Sequence, residues 1–180
     1  MKVIYKENIA GAREEIVSAI KAGKIFIYPT DTIYGLGCDA TNEQAVEKIR
    51  AIKNRPDRMP FSVIAPSKSW ILETCEVKNE LLLEKLPGPY TLIFPLQEKS
   101  VPVHAVNHKD DTLGVRIPHH WFTHLVEEAG VPFVTTSVNV TGDKFMKKFA
   151  DISEEMKEVV DYCIYEGEIK GVPSRKEFYI

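Results

Sequence analysis

Four polar clusters in the chain combine residue types suited to holding a small charged ligand. Residues 28–40 read YPTDTIYGLGCDA. Their hydroxyls and backbone amides offer hydrogen bonds to a polar molecule, and Gly35 and Gly37 permit close backbone approach. The stretch is neither a Walker A loop nor GxGxxG, and the plainer alternative is a long turn in which Asp31 caps its own backbone. In KNRPDR at 53–58, Lys53 and Arg55 flank a predicted helix end, where the dipole itself favours cations. Pro56 stiffens the chain beyond them, and arginine suits bidentate phosphate recognition. In DDTLGVRIP, Arg116 interrupts an apolar strand pattern and so needs a partner, either a structural carboxylate or that of a substrate. In TTSVNVTG, Ser137 and Asn139 alternate with Val138 and Val140, which sends both polar side chains to one side of an extended segment. A Ser-Asn turn cap is the competing explanation there.

These clusters fall at the ends of predicted elements, where α/β proteins place ligands. Strands are expected at 2–5, 24–28, 61–65, 90–96, 113–117, 133–137 and 162–166. Helices are expected at 9–22, capped by Asn8, at 42–54 behind a Thr41/Gln44 capping box, at 119–129 and near 153–160, with helical turns near 67–74 and 79–86. Gly23, Gly130 and the Arg55-Pro56 pair provide stops. Strand and helix alternate without repeats, so the expected class is α/β, a mixed sheet flanked by helices in a single domain over 1–180. At 180 residues the chain can bury about 70% of its unfolded surface without staples.

A net charge of −3 gives no global pull on nucleic acid or an acidic membrane, so any anion site must be local. Cys38, Cys75 and Cys163 are dispersed and odd in number, as expected of reduced thiols in a cytoplasmic protein. No apolar run approaches the roughly 20 residues of a membrane span. His120 and His124 stand four apart beside His119 but lack an evident third ligand, which favours surface histidines over a metal site. Lys144, Lys147 and Lys148 near Phe145 and Phe149 read as a solvated charged face or an RNA contact.

Taken together, KAGKIFIYPTDTIYGLGCDA, IRAIKNRP, LPGPYTLIF, TLGVRIP and TSVN occur in the order seen in the YrdC-like family, and the chain resembles that family from about residue 9 to 174. The resemblance implies a twisted mixed sheet around a concave, locally positive cleft. It also implies synthesis of threonylcarbamoyl-adenylate and pyrophosphate from L-threonine, bicarbonate and ATP, with Mg²⁺ assisting ATP, for tRNA modification by a downstream tRNA threonylcarbamoyl transferase. By the same resemblance Thr32, Arg116, Ser137 and Ser174 would contact threonine or its carbamoylated form, and Lys53, Arg55, Thr112 and Asn139 the nucleotide. No general base or nucleophile is evident, so catalysis would rest on positioning and electrostatics. The chain departs from the family where Phe145 stands near a frequent serine, where Met59 and Ile64 replace polar residues, and where VPSRKEFYI has Arg175 for threonine and lacks a late arginine. An RNA- or nucleotide-binding relative without synthase activity therefore stays open.

Overall fold

The computed structural model describes residues 1–57, 59–97, 106–107 and 111–180. Arg58 of the second cluster and Asp110 of the third lie outside the described residues. Nine strands form one mixed sheet among the described residues: β1 (Lys2–Tyr5), β2 (Phe26–Tyr28), β3 (Gly35–Gly37), β4 (Ser62–Ile64), β5 (Tyr90–Pro95), β6 (Thr112–Arg116), β7 (Phe133–Ser137), β8 (Tyr162–Tyr165) and β9 (Arg175–Phe178). Their spatial order is β1-β8-β2-β3-β7-β4-β6-β5-β9. The β1/β8, β8/β2, β4/β6 and β5/β9 pairs are parallel and the others antiparallel. The helices are α1 (Ile9–Lys21), α2 (Glu43–Ile52), α3 (Lys68–Thr74), α4 (Phe122–Ala129) and α5 (Glu154–Val159).

Side chains on successive strand residues point to opposite faces, and this alternation divides the core in two. Phe26, Tyr28, Ile64, Phe133 and Ile164 pack with Ile16 and Ile20 of α1 and with Phe122 and Val126 of α4. Ile27, Leu36, Val63, Leu92, Val115 and Cys163 face the other way, against Val46 and Ile49 of α2, Ile71 of α3 and Met156 of α5. The aromatic rings of the first layer stack, Tyr28 on Phe122 at 4.6 Å and Phe26 on Tyr162 at 5.0 Å.

Several local expectations are corrected. Asn8 makes no side-chain cap on α1. Asn42, not Thr41, caps α2 by accepting from the Ala45 amide at 3.0 Å, because the Thr41 hydroxyl is already bonded to Asp39. That helix ends at Ile52, where Lys53 caps it and Asn54 turns left-handed at φ 46°, ahead of the proline. The helix expected from 119 begins at Phe122, and β3 and β9 were not expected as strands at all.

Candidate functional site

The face that α1 and α4 cover over β8, β2 and β4 is left open further along the sheet. There the same alternation presents small polar residues in place of large apolar ones. Gly35 pairs with Ser137, Ser62 with both Thr135 and Gly114, and Thr91 with Lys176. Close fit enforces the small size: a Cβ on Gly114 would stand 2.5 Å from the Ser62 hydroxyl, and one on Gly35 2.5 Å from the Tyr28 ring. Above this floor lies a cavity of about 230 Å³, walled by Ile33, Phe61 and Phe145 and reached by Arg55, Arg116 and Lys176. Among the described residues no carboxylate lines it.

Arg116 lies 5% exposed, with Nη2 donating to Asp31 Oδ1 at 2.7 Å and to Thr32 Oγ1 at 3.3 Å. Asp31 therefore serves as the structural carboxylate, its other oxygen accepting from the His119 amide at 3.0 Å, and it does not cap its own loop. Among the described residues the buried Nε of Arg116 has no hydrogen-bond partner. Burial lowers the Arg116 pKa and Asp31 opposes the shift, while the intrinsic basicity of a guanidinium keeps it charged. The Thr30 hydroxyl donates to the Ile33 carbonyl at 2.6 Å, accepts from the Thr32 and Ile33 amides, and sits 3.0 Å from the Thr32 hydroxyl. Thr32 thus meets Arg116, but its buried side chain does not line the cavity, whereas Ser137 does.

Lys53 departs furthest from expectation. It is 1% exposed, and its ammonium donates to the Ser137 carbonyl at 2.5 Å, the Asn139 carbonyl at 2.7 Å and Asn139 Oδ1 at 3.0 Å. Asn139 Oδ1 also accepts from the Ser137 hydroxyl, and its Nδ2 donates to the Asp143 carbonyl. Burial, then the neighbouring Arg55 charge, pushes the Lys53 pKa down to about 7, while three acceptors each requiring a donor favour the ammonium. Lys53 and Asn139 spend their polar groups on holding the 137–143 turn, and neither lines the cavity. Thr112 opens β6 opposite Pro95, also away from the cavity lining. Arg55 does line it. Its guanidinium donates to the Met59 and Pro60 carbonyls and stacks over the Phe61 ring, 4.9 Å from the centroid.

Residues 166–174 form a strap from β8 across the sheet to β9. At one end Tyr34 donates to the Gly167 carbonyl at 2.7 Å, and Glu166 accepts from Trp121 at 2.9 Å and pairs with His120 at 3.0 Å. Burial would raise the Glu166 pKa, but donation from Trp121 and His120 outweighs it and holds the carboxyl below its ordinary range. At the other end the Ser174 and Thr91 hydroxyls lie 2.8 Å apart in the cavity wall. Between them Gly171 presses on the 28–40 loop so closely that a Cβ would overlap the Thr32 carbonyl oxygen. Gly171→Ala should therefore cost about 1–3 kcal/mol by overpacking, read from urea unfolding; an unshifted midpoint would mean the strap does not bear on the loop.

Residues 18–175 match the family model Sua5–YciO–YrdC, which carries the description telomere recombination. The chain belongs to the Sua5/YciO/YrdC family. Among curated Sua5/YciO/YrdC relatives, the threonylcarbamoyl-AMP synthase of Idiomarina loihiensis is 35% identical over 88% of each chain. Uncharacterized protein YciO of Escherichia coli is 29% identical over 89% of this chain and 80% of its own. In structure, P. abyssi Sua5 complexed with L-threonine superposes with a TM-score of 0.85 at 27% identity, covering 99% of this chain and 54% of that one. This chain thus spans about half the length of that Sua5. E. coli YciO gives 0.84 at 25% identity over 99% and 90% of the two chains. The twisted mixed sheet with flanking helices is the Sua5/YciO fold.

Sequence reasoning missed Tyr34, Asp31 as the Arg116 partner, and Lys176. Only the last left a signal: alternation from Ser174 places Lys176 on the same side. His120 is drawn into the Glu166 contact, and among the described residues no His/Cys/Asp/Glu group is arranged to hold a metal ion. No helix of the described residues is long and apolar enough to cross a membrane.

Proposed function

We propose that the chain is a threonylcarbamoyl-AMP synthase, a nucleotidyltransferase-type enzyme acting as one domain. It would join L-threonine, bicarbonate and ATP into threonylcarbamoyl-adenylate and pyrophosphate. The observation that carries this reading is the buried Arg116 at a hydroxyl-lined cavity, with Nε unpartnered and no carboxylate in the lining among the described residues. Relatives bearing that name match 88% of the chain, which supports the enzyme class.

Arg116 and the Ser137 and Ser174 hydroxyls receive the amino acid or its carbamoylated form, with Thr32 setting the Arg116 position. Arg55 serves the phosphates. Lys53 and Asn139 act at one remove, by shaping the turn that presents Ser137, and Thr112 stands farther out. The cavity is smaller than the roughly 300–1,000 Å³ of drug-sized pockets, so it suits the amino-acid portion while the nucleotide extends toward the mouth. Among the described residues the lining offers no carboxylate cage, so Mg²⁺ fits as the companion of ATP, held by its phosphates and by water. Positioning and electrostatic stabilisation then supply the catalysis. The product would pass to a tRNA threonylcarbamoyl transferase in the cytoplasm, with tRNA contact assigned to the exposed Lys144, Lys147 and Lys148.

A second reading, an RNA- or nucleotide-binding protein without synthase activity, is favoured by the commitment of Lys53 and Asn139 to each other. One experiment separates the two. Purified protein is incubated with ATP, labelled bicarbonate and threonine, and labelled adenylate is sought. The expected result is adenylate with threonine and at least about a hundredfold less with valine, because a site that hydrogen-bonds a hydroxyl rejects the analogue lacking it. Absence of adenylate, or equal use of valine, would overturn the synthase reading.

A further inference from the structure

Lys176 has no assigned role, yet it reaches the cavity from the last strand. On β9 the alternation sends Arg175 and Glu177 to the opposite face, where Glu177 binds Lys85 and Tyr179. Ser174 and Lys176 face the cavity. Lys176 makes no ion pair and no hydrogen bond among the described residues, although its strand is paired along its length with β5. Lys176 is exposed as a residue, and its pKa is lowered, first by desolvation of its charged end and then by the charge of Arg55. Arg55 reaches the same space from the end of α2, and among the described residues no carboxylate in the lining neutralises either cation. Two like charges converging on one cavity repel each other, and an anion between them would relieve that repulsion.

We propose that Lys176 and Arg55 form a subsite for the phosphate-bearing part of the ligand, so that anion binding fastens the carboxy-terminal strand β9 to the rest of the site. The anion's source rests on the nucleotide-using reading above; the subsite itself rests on the two converging cations. Lysine suits this position because it is a compact charge with three donors on a flexible stem.

The test uses the full chain and inorganic pyrophosphate as probe, followed by calorimetry and by hydrogen exchange of the 175–178 amides. Wild-type protein should bind pyrophosphate, more weakly as salt rises, and gain protection in 175–178. Lys176→Met should weaken binding about tenfold and abolish the added protection, with the urea midpoint and threonine affinity unchanged. Lys176→Arg should restore most of both. No pyrophosphate binding by wild type, equal binding by Lys176→Met, or protection that survives this substitution would overturn the inference. Lys176-dependent pyrophosphate binding in a protein that forms no adenylate would uphold the subsite and overturn the synthase reading. Adenylate formation with pyrophosphate affinity indifferent to Lys176 would do the reverse.

Discussion

Lys53→Met should destabilise the protein by about 3 kcal/mol and weaken threonine binding as a consequence. The substitution nearly preserves the volume of a side chain that is 1% exposed but removes one donor from each of three oxygens. Asn139 Oδ1 keeps the Ser137 hydroxyl and the Ser137 carbonyl keeps the Asn139 amide, while the Asn139 carbonyl loses its ammonium partner. An unsatisfied buried acceptor costs about 1–3 kcal/mol, and entry of water would keep the total below the sum. Because these oxygens belong to the turn that presents Ser137, the cavity wall should loosen with them. Urea denaturation gives the first quantity and calorimetry with threonine the second. If Lys53 instead reached a nucleotide from the cavity, the variant would unfold like wild type and lose ATP affinity alone.

Arg116→Met should cost still more, about 3–5 kcal/mol, since it strands the carboxylate of Asp31 away from its partner. The double variant Asp31→Asn/Arg116→Met removes both charges and should recover most of that stability, yet it should bind no threonine. Separating the two effects decides whether Arg116 is only the counter-ion of Asp31. Recovery of threonine affinity together with stability in the double variant would restrict Arg116 to that structural part.

The helices and the apolar strands were legible because their periods, 3.6 and 2, arise from burial on one face. Ile16 and Ile20, or Phe26 and Tyr28, mark their layer without knowledge of what covers them. GLG at 35–37 carries little strand propensity, and it is a strand because its neighbours demand glycine: a Cβ on Gly37 would overlap the Val134 carbonyl. RKEF at 175–178 reads as polar surface, and pairing with β5 makes it a strand. The four clusters converge, since Tyr34, Arg55, Arg116 and Ser137, one from each, line a single cavity, which Ser174 joins from outside them. Lys53, Thr112 and Asn139 do not join that lining, and Thr32 touches Arg116 without doing so. What separates these groups is partnership across long sequence distances, as between Asp31 and Arg116 or Lys53 and Asn139. A linear pattern carries no record of such pairings.

The place of β8 between β1 and β2 sets a timetable for folding during synthesis. On one side Phe26 and Ile27 pair with nearby Gly37 and Leu36, but on the other they wait for Tyr162 and Cys163, and β1 closes on the same strand. At about 5–20 residues per second, the ribosome takes on the order of ten seconds to bring that strand out. Until then α1 can fold locally, but one edge of β2 remains unpaired and its apolar residues lack their final neighbours. Such non-local pairing slows folding and lengthens the exposure of a sticky strand. Strands β1 and β2 therefore wait for β8, and shielding of the nascent β2 segment over that interval should govern the yield.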